Sequence, residues 1–416
     1  MARPKKDVHK VVSNQYTNWV YPLPEPDLAK VIAENGYYDL ADPALFRRVL
    51  FPTPCEPENL NILIAGCGAN QASYYAYKNP NCHVVGIDIS ENSLAHQQYL
   101  KEKHQLDNLE LHLCTLEEAP KKLNRKFDYI VSTGVLHHLP DPDAGLLALK
   151  EMLEPHGVMS IMLYGKYMRA GVYMMQELFR LAKLEQNEAG ISVVKATLNS
   201  LSSTHSAKHY ANNASDIYYD AGIVDTFLHR SDRAYSVPDV LEFAEKAGLA
   251  FRGWLDKSLY SAELTLPYNH PLRPHILALP EEEQWAAVEL ITQGLGCHRF
   301  MLCHKEVDPK TYTTDFTGKE WLQYVPSLRP PVQVVKTLQQ ANGGPAQVKR
   351  AHITFEVQVH EVPILEGIDG KKSIQEIIDA YPQDSRYAKE AKTIAQKFFT
   401  QMAKYDHLQF NIKPNK

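Results

Sequence analysis

No apolar run in the 416-residue chain approaches the roughly 18 residues that a membrane-spanning helix needs. The opening MARPKKDVHK is basic, but no apolar stretch follows it, so no secretory signal is expected and the expected compartment is the cytoplasm. Cysteine is sparse. The six cysteines stand at positions 55, 67, 82, 114, 297 and 303, none in C-x-x-C spacing and most inside apolar, strand-like runs. That pattern excludes a disulfide framework and fits buried free thiols. Cys297-His298 and Cys303-His304 resemble metal-ligand pairs, but CHRFMLCHK reads as one strand, so no metal is expected. A basic surplus is lacking too. The net charge of −5 excludes a general nucleic-acid binder. No internal repeat and no long low-complexity segment occurs.

What is present is a chain with 44% apolar and 22% charged residues, the balance of a soluble protein with a sizeable core. Residues 1–50 read as an N-terminal arm with helices. VSNQYTNWVYPLPEP (12–26) is aromatic and proline-rich and predicts an extended arm. Helical patterns follow over 27–35 and 42–49. From 60 to about 160, strands and helices alternate. NILIAG, HVVGIDIS, LELHLCT, FDYIVST and GVMSIMLYG are the strands. Ser90 caps one intervening helix, and Asp141 followed by Pro142 opens another. Such alternation predicts right-handed crossovers and a parallel sheet covered on both faces. Residues 166–235 break the rhythm and read as an insertion that roofs the strand ends. Its apolar stripe of Met168, Val172, Met175, Leu178, Phe179 and Ala182 is a packing face. A helix capped by Ser236 and ended by Gly248, the strand AFRGWLD, a helix over 281–293 and the strand HRFMLCHK complete seven strands. The core domain therefore spans 51–307. VPSLRPPVQ (325–333) marks a boundary within a linker over 308–332, and 333–416 form a small α+β module.

The segment LNILIAGCGANQ carries the first chemical signal. Gly66 and Gly68 close an apolar strand just before a helix. They permit positive φ and let a ligand approach the bare main chain, beside the unpaired N–H groups of the helix start. Asp88, twenty residues on from Gly68, ends the next strand, where a carboxylate accepts hydrogen bonds from a ribose diol. A pyrophosphate cofactor calls for a third glycine where this chain has Gln71, so a dinucleotide oxidoreductase is disfavoured and a smaller zwitterionic nucleoside is favoured.

Three motifs in order over 60–165 resemble the class I S-adenosylmethionine-dependent methyltransferases: ILIAGCGANQ, VVGIDIS and FDYIVSTGVLHHLPDP. The resemblance implies a Rossmann-like seven-stranded α/β methyltransferase sheet and S-adenosyl-L-methionine as cofactor. It implies that Gly66, Cys67 and Gly68 line the methionine portion, with Asn70 and Gln71 close by. It places Asp88 on the ribose and Ile89 on the adenine. Thr115 and Leu116 stand where the family often has an acidic residue for the adenine amine, and Ser132, Thr133 and Gly134 close the pocket beneath the sulfonium. DTFLHRSDRAYSVPDVLEFAEKAGLAFRGW and EEEQWAAVELITQGLGCHRF are similar to a bacterial methyltransferase group. LEGIDGKKSIQEI resembles the start of that group's appended regulatory, winged-helix-like domain.

The acceptor side is less defined. His138, Tyr16 and Tyr164 are the candidates for chemistry. Tyr21, Tyr167, Asp225 and His229 are candidates for the substrate, the last two alternatively pairing with Asp232 and Arg233 on a solvated turn. Tyrosines suit an ammonium cage or a planar substrate. The expected acceptor is a protein side chain such as lysine. A small metabolite is the alternative, favoured by a long roof, and a non-catalytic cofactor-binding scaffold is the alternative of another class.

Overall fold

The computed structural model describes residues 5–35, 39–53, 59–294, 296–335, 345–350 and 353–412. Cys55 and residues 341–344 of the turn expected at ANGGP lie outside them. The chain divides into two compact units. The first comprises Met1–Tyr38, Pro57–Trp254 and Ala262–Lys305, and the second Asp39–Glu56, Leu255–Ser261 and Glu306–Lys416. Among the described residues no helix is long and apolar enough to cross a membrane.

The first unit is a seven-stranded sheet between helices. Its strands are β1 (Asn61–Ala65), β2 (His83–Asp88), β3 (Leu109–Leu113), β4 (Phe127–Thr133), β5 (Leu153–Tyr164), β6 (Leu249–Trp254) and β7 (Cys297–His304), in the order β3-β2-β1-β4-β5-β7-β6. β1 to β5 pair in parallel, as the alternation predicts. β7 departs from that expectation: it runs antiparallel to both β5 and β6. The β6–β7 connection leaves and re-enters the sheet at one end, with Trp254 opposite Phe300, so no crossover reverses the chain. The helix starts fall where the cap residues put them. Ser90 accepts from the N–H of Ser93, Asp141 from that of Ala144, and Ser236 forms a capping box with Asp239.

The extended arm expected over 12–26 is helical through its first part. A helix runs Lys5–Asn18, and irregular chain begins only at Trp19. Val12 and Gln15 are buried one turn apart, and the first proline after the helix start comes at Pro22, beyond the helix end. The insertion folds as helices Ala170–Leu181, Glu188–Ser200, Ser206–Asn213 and Asp220–Phe227 around Val172, Met175, Phe179, Val194 and Phe227. Of the stripe read from sequence, Leu178 and Ala182 instead face outward.

The second unit holds β8 (Val325–Leu328), β9 (Gln333–Val335), β10 (Ala346–Arg350), β11 (Ile353–Val357) and β12 (Leu408–Asn411), paired as β11-β10-β9 and β12-β8. The linker expected over 308–332 is folded structure. Phe316, Trp321, Leu322 and Tyr324 pack into one core with Phe398 and Phe399 of the helix Ala391–Lys404. Of the prolines of VPSLRPPVQ, Pro326 lies within β8, in a two-stranded sheet where every strand is an edge, and Pro330 and Pro331 lie between β8 and β9 rather than in a free connector. Residues 39–56, expected to join the N-terminal arm and the core domain, fold with this unit.

Its ionic centre is Asp256, whose Oδ1 and Oδ2 accept from Nη1 and Nη2 of Arg350 at 3.1 Å each. Burial alone would raise the Asp256 carboxyl, but Arg350 overrides it and holds the pKa below its ordinary value. Arg350→Leu removes the cation that hydrogen-bonds this buried carboxylate and leaves only the more distant attraction of Arg329. It is expected to cost about 3 kcal/mol of unfolding free energy at neutral pH. A depressed carboxyl stabilises above its unfolded pKa and loses that contribution as pH falls through the folded one. The difference between Arg350→Leu and wild type in urea titrations should therefore shrink on acidification.

Candidate functional site

The end of β1 builds the first half of the site. Gly66 and Gly68 have φ of +79° and +53°. A Cβ on Gly66 would lie 2.3 Å from Val135 Cγ2, and one on Gly68 3.1 Å from Pro22 Cδ. Both glycines are thus fixed by sterics as well as by conformation. The backbone N–H of Gly68 donates to Asp88 Oδ2 at 2.8 Å, and that of Ser90 to Oδ1 at 2.8 Å. Burial pushes the Asp88 carboxyl up, and the Ser90 and Gly68 N–H groups partly oppose it. A carboxylate has about four lone-pair sites. The Gly68 and Ser90 N–H groups take two, and the Ile89 N–H also bears on the carboxylate, which still leaves acceptor capacity for a ribose hydroxyl pair. Ile89, next in the chain, is half-buried and offers an apolar face. These residues fit an adenosine-type ligand: a bare turn, an acid with lone pairs to spare, and an apolar neighbour.

Gln97 braces this loop and was not singled out from sequence. It is fully buried; its Nε2 donates to the carbonyls of Cys67 and Gly68 at 3.1 and 3.0 Å, while its Oε1 accepts from the N–H of Ser73 at 2.9 Å and from the Ser73 hydroxyl. The signal was available: Ser93, Gln97 and Leu100 are the buried positions of the helix Glu91–His104, an i, i+4, i+7 face with glutamine where an apolar residue is usual. Gln97→Leu orphans two carbonyls and an N–H. It is expected to lower stability by about 2 kcal/mol, read by thermal unfolding, and to weaken S-adenosylhomocysteine binding through a looser loop.

The N-terminal helix lies across this mouth. The Ser13 hydroxyl donates to the Ile89 carbonyl at 3.1 Å, Ser90 Oγ to the Tyr16 carbonyl at 3.3 Å, and Asn92 Nδ2 to the Thr17 carbonyl at 2.7 Å. Asn70 does not offer its side chain to a ligand. Its Nδ2 donates to the Leu23 carbonyl at 2.8 Å and its Oδ1 accepts from Glu25 N–H at 2.9 Å, clamping the segment after the helix.

The second half centres on Asp225. It is 3% exposed, and its two oxygens accept from Tyr16 OH at 2.9 Å and Tyr164 OH at 3.3 Å. Among the described residues it forms no ion pair. Burial raises its pKa, opposed by the nearby His138 and the Tyr16 hydrogen bond. Burial, and then Asp225 itself, pushes both tyrosine hydroxyls well above their ordinary value, so they stay protonated donors. Tyr21 is raised likewise, by burial first and Asp225 second, and stacks on Tyr219 with centroids 6.3 Å apart. Arg169 lies with its guanidinium carbon 3.6 Å from the Tyr164 ring centroid and donates to Tyr210 OH at 2.8 Å. His137 stacks on Tyr164 and His138 on His229, each at 4.0 Å. Asp225 and His229 are therefore not on a solvated turn: both are buried, and Asp232 likewise buries its carboxylate. His138, Asp225 and His229 each place one ligand-type atom within 4.8 Å of one another, as do His137, His138 and Asp232.

The remaining expected residues divide. Gln71 Nε2 donates to Thr133 Oγ1 at 3.3 Å, tying the ends of β1 and β4, and Gly134 turns there with φ +75°. Leu116 is buried, and Thr115 Oγ1 accepts from Glu118 N–H at 3.3 Å as a local cap. Ser132 is fully buried within the sheet, out of reach of a ligand at the strand ends. Burial raises the Cys67 thiol well above its ordinary value, an inert packing group. Tyr167 is 38% exposed and joins none of the bonds around Asp225.

The strand order with β7 reversed, the glycine turn and the acid at the end of β2 together define a class I methyltransferase fold. Residues 56–222 match the family model described as a methyltransferase domain. Over 248 residues the chain is 27% identical to the protein syc1184_c of Synechococcus sp., covering 58% of this chain and 59% of that one. It is 41% identical over 102 residues to the tRNA U34 carboxymethyltransferase of Azotobacter vinelandii, 23% of this chain and 30% of that one. The chain thus spans less than two thirds of the length of either relative. PKMT2 from Rickettsia typhi, solved in complex with AdoHcy, superposes with a TM-score of 0.64 at 16% identity, over 91% of this chain and 76% of that one. Residues 56–222 accordingly match a methyltransferase domain, and the fold is the Rossmann-like one of such domains.

Proposed function

We propose that this protein is an S-adenosyl-L-methionine-dependent methyltransferase whose acceptor is an amine of the lysine side-chain type. The observation that carries the acceptor class is Asp225. Among the described residues Asp225 forms no ion pair, with His138 and Arg169 acting on it only through longer-range attraction, and a carboxylate so buried is costly. Here it is retained between two protonated tyrosine hydroxyls and beneath further aromatic rings, which is the environment that receives an ammonium. The cofactor half rests on Gly66, Gly68 and Asp88, with Ile89 beside them. The bound sulfonium supplies an electrophilic methyl group. The protein's own residues then hold and orient the nucleophile and exclude water. Asp225 draws the ammonium in, Tyr16 and Tyr164 fix the carboxylate, and the N-terminal helix covers both halves, since it bonds to Ile89 and Ser90 by one side and to Asp225 through Tyr16.

A protein acceptor fits a chain with a second folded unit that carries none of this machinery; we read that unit as the recruiting or regulatory module. The superposition with PKMT2 over most of both chains agrees with a two-unit methyltransferase but rests on fold alone. The metabolite reading draws on the roof of insertion helices. Incubation with radiolabelled donor and fractionated lysate separates the readings. Label recovered as methyl-lysine after acid hydrolysis of the protein fraction is the expected result. Label only in small molecules overturns the protein acceptor. Cofactor binding without any transfer points to the scaffold class.

A further inference from the structure

We infer that His138 is the proton acceptor for the incoming ammonium, that the Ser231 carbonyl holds its ring in the one tautomer able to act so, and that Asp232, held by Gln176, backs the ring with charge; this rests on the amine reading above and deepens it. Three imidazoles line this half of the site, His138 and His229 beside Asp225 and His137 stacked on Tyr164, and each is addressed by a different backbone group. The N–H of Tyr164 donates to His137 Nδ1 at 3.3 Å, and that of Ser231 donates to His229 Nδ1 at 3.0 Å. Both rings must present a lone pair at Nδ1, so when neutral they carry their hydrogen on Nε2. His138 has the opposite polarity. Its Nδ1 lies 2.9 Å from the carbonyl oxygen of Ser231, a group that can only accept. Nδ1 therefore bears the hydrogen and Nε2 keeps the lone pair. One peptide, Ser231, turns its N–H to His229 and its C=O to His138, and the two stacked rings are held in opposite tautomers.

The same wiring argues against reading the cluster as a metal site. Chelation by His138, Asp225 and His229 needs a lone pair on His229 Nε2, which the Ser231 N–H denies it. His229 instead points its Nε2–H toward Tyr16 OH, 3.4 Å away, whose own hydrogen goes to Asp225.

Asp232 supplies the charge behind the base. Its Oδ1 stands 3.7 Å from His138 Nδ1. Its Oδ2 accepts from Gln176 Nε2 at 3.0 Å and lies 3.6 Å from Arg169 Nη2. Oδ1 has no hydrogen bond of its own, so it is poised to stabilise the ring once charged. Burial, with the neighbouring His138 second, pushes His137 and His229 well below the ordinary histidine value. These two stay neutral. His138 and Asp225 lie within reach of one ammonium.

The step balances. The ammonium R–NH3+ gives one proton to His138 Nε2, and the N–H bond pair becomes the amine lone pair. That pair forms the new N–C bond while the C–S bond breaks with its electrons left on sulfur. R–NH2–CH3+ departs, and the proton on His138 passes to solvent.

The test uses the full chain with poly-L-lysine and radiolabelled donor at saturation, from about pH 6 to about pH 10. Facing His138 are Tyr16 from the N-terminal helix, His137 and Tyr164 from the ends of β4 and β5, Asp225 and His229 from the last insertion helix and its exit, and Asp232 after it, with Arg169 paired to Asp232 behind. His138→Gln is expected to lower kcat about 100- to 1,000-fold near neutrality. The deficit should close as pH nears lysine's own pKa of about 10.4, where water alone frees the amine. The Kd for S-adenosylhomocysteine should not move. Asp232→Asn should lose about tenfold and shift the acidic limb of the profile. Long-range nitrogen–proton spectra of the unliganded protein should show Nδ1–H on His138 and Nε2–H on His137 and His229. A deficit in His138→Gln that is the same at every pH, or Nε2–H on His138, overturns the inference. If wild type binds S-adenosylhomocysteine yet labels no poly-L-lysine, it is the amine reading that falls, and the inference with it.

Discussion

Asp88→Ala is expected to weaken S-adenosylhomocysteine binding by about 100-fold or more in calorimetry. A hydrogen bond to a charged acceptor contributes about 1.5–3 kcal/mol. Two such bonds from a ribose diol to this carboxylate therefore amount to at least about 3 kcal/mol, or roughly two decades of Kd. The same substitution removes the partner of the Gly68 and Ser90 N–H groups, so part of the loss is a loosened loop. Asp88→Asn keeps one oxygen for that loop and should fall between wild type and alanine. Because burial raises the Asp88 carboxyl, binding should also weaken as pH drops through that elevated value and the acid becomes protonated. NAD should give no heat with any form, since the turn has Gln71 where a pyrophosphate site has its third glycine. Unchanged affinity in Asp88→Ala would sink the ribose assignment.

Asp225→Asn separates a functional acid from a structural one because its two effects have opposite signs. Methyl transfer to an amine should fall by at least about 100-fold in kcat/KM, as removal of one partner from a desolvated charge pair costs about 2–5 kcal/mol. Without substrate, the variant should be more stable than wild type, since it deletes a buried charge that has no ionic partner. The sign follows from the raised pKa. A carboxyl whose folded pKa lies above its unfolded value stabilises fully below the unfolded pKa and loses that contribution as pH rises through the folded one. The gain in Tm should therefore be largest at neutral pH and vanish below about pH 3, where the acid is neutral in both states. Asparagine keeps the oxygen that Tyr16 or Tyr164 needs. A variant that loses both activity and stability would show Asp225 to be a packing element. Such an exchange of stability for function is common at binding sites.

The two halves of the site differed in how far the sequence exposed them. The glycine turn, the acid after the second strand and the caps at Ser90, Asp141 and Ser236 are local. Each depends on residues a few positions apart or on one strand–helix–strand unit, where spacing dictates geometry. Asn70 was read at the right loop with the wrong partner, because its side chain is claimed by Leu23 and Glu25 of a segment that no periodicity connects to it. Gln97 was overlooked because a polar residue on an apolar helix face carries meaning only once the loop it braces is known. The arm over 12–18 was read as extended from its aromatics and the prolines beyond it, whereas burial of Val12 and Gln15 decided for a helix.

The sequence by itself determined that a strand ends in a bare turn, that a helix follows, and that an acid waits at the neighbouring strand end, for which backbone sterics and helix capping are sufficient cause. Only the tertiary structure decided that Asp225 meets Tyr16, 209 positions away, and Tyr164, 61 positions away, and that one peptide at Ser231 sets two histidines in opposite tautomers. Such meetings depend on how the insertion helices bury their apolar faces over the strand ends, and burial of a face fixes which polar groups are carried inward with it.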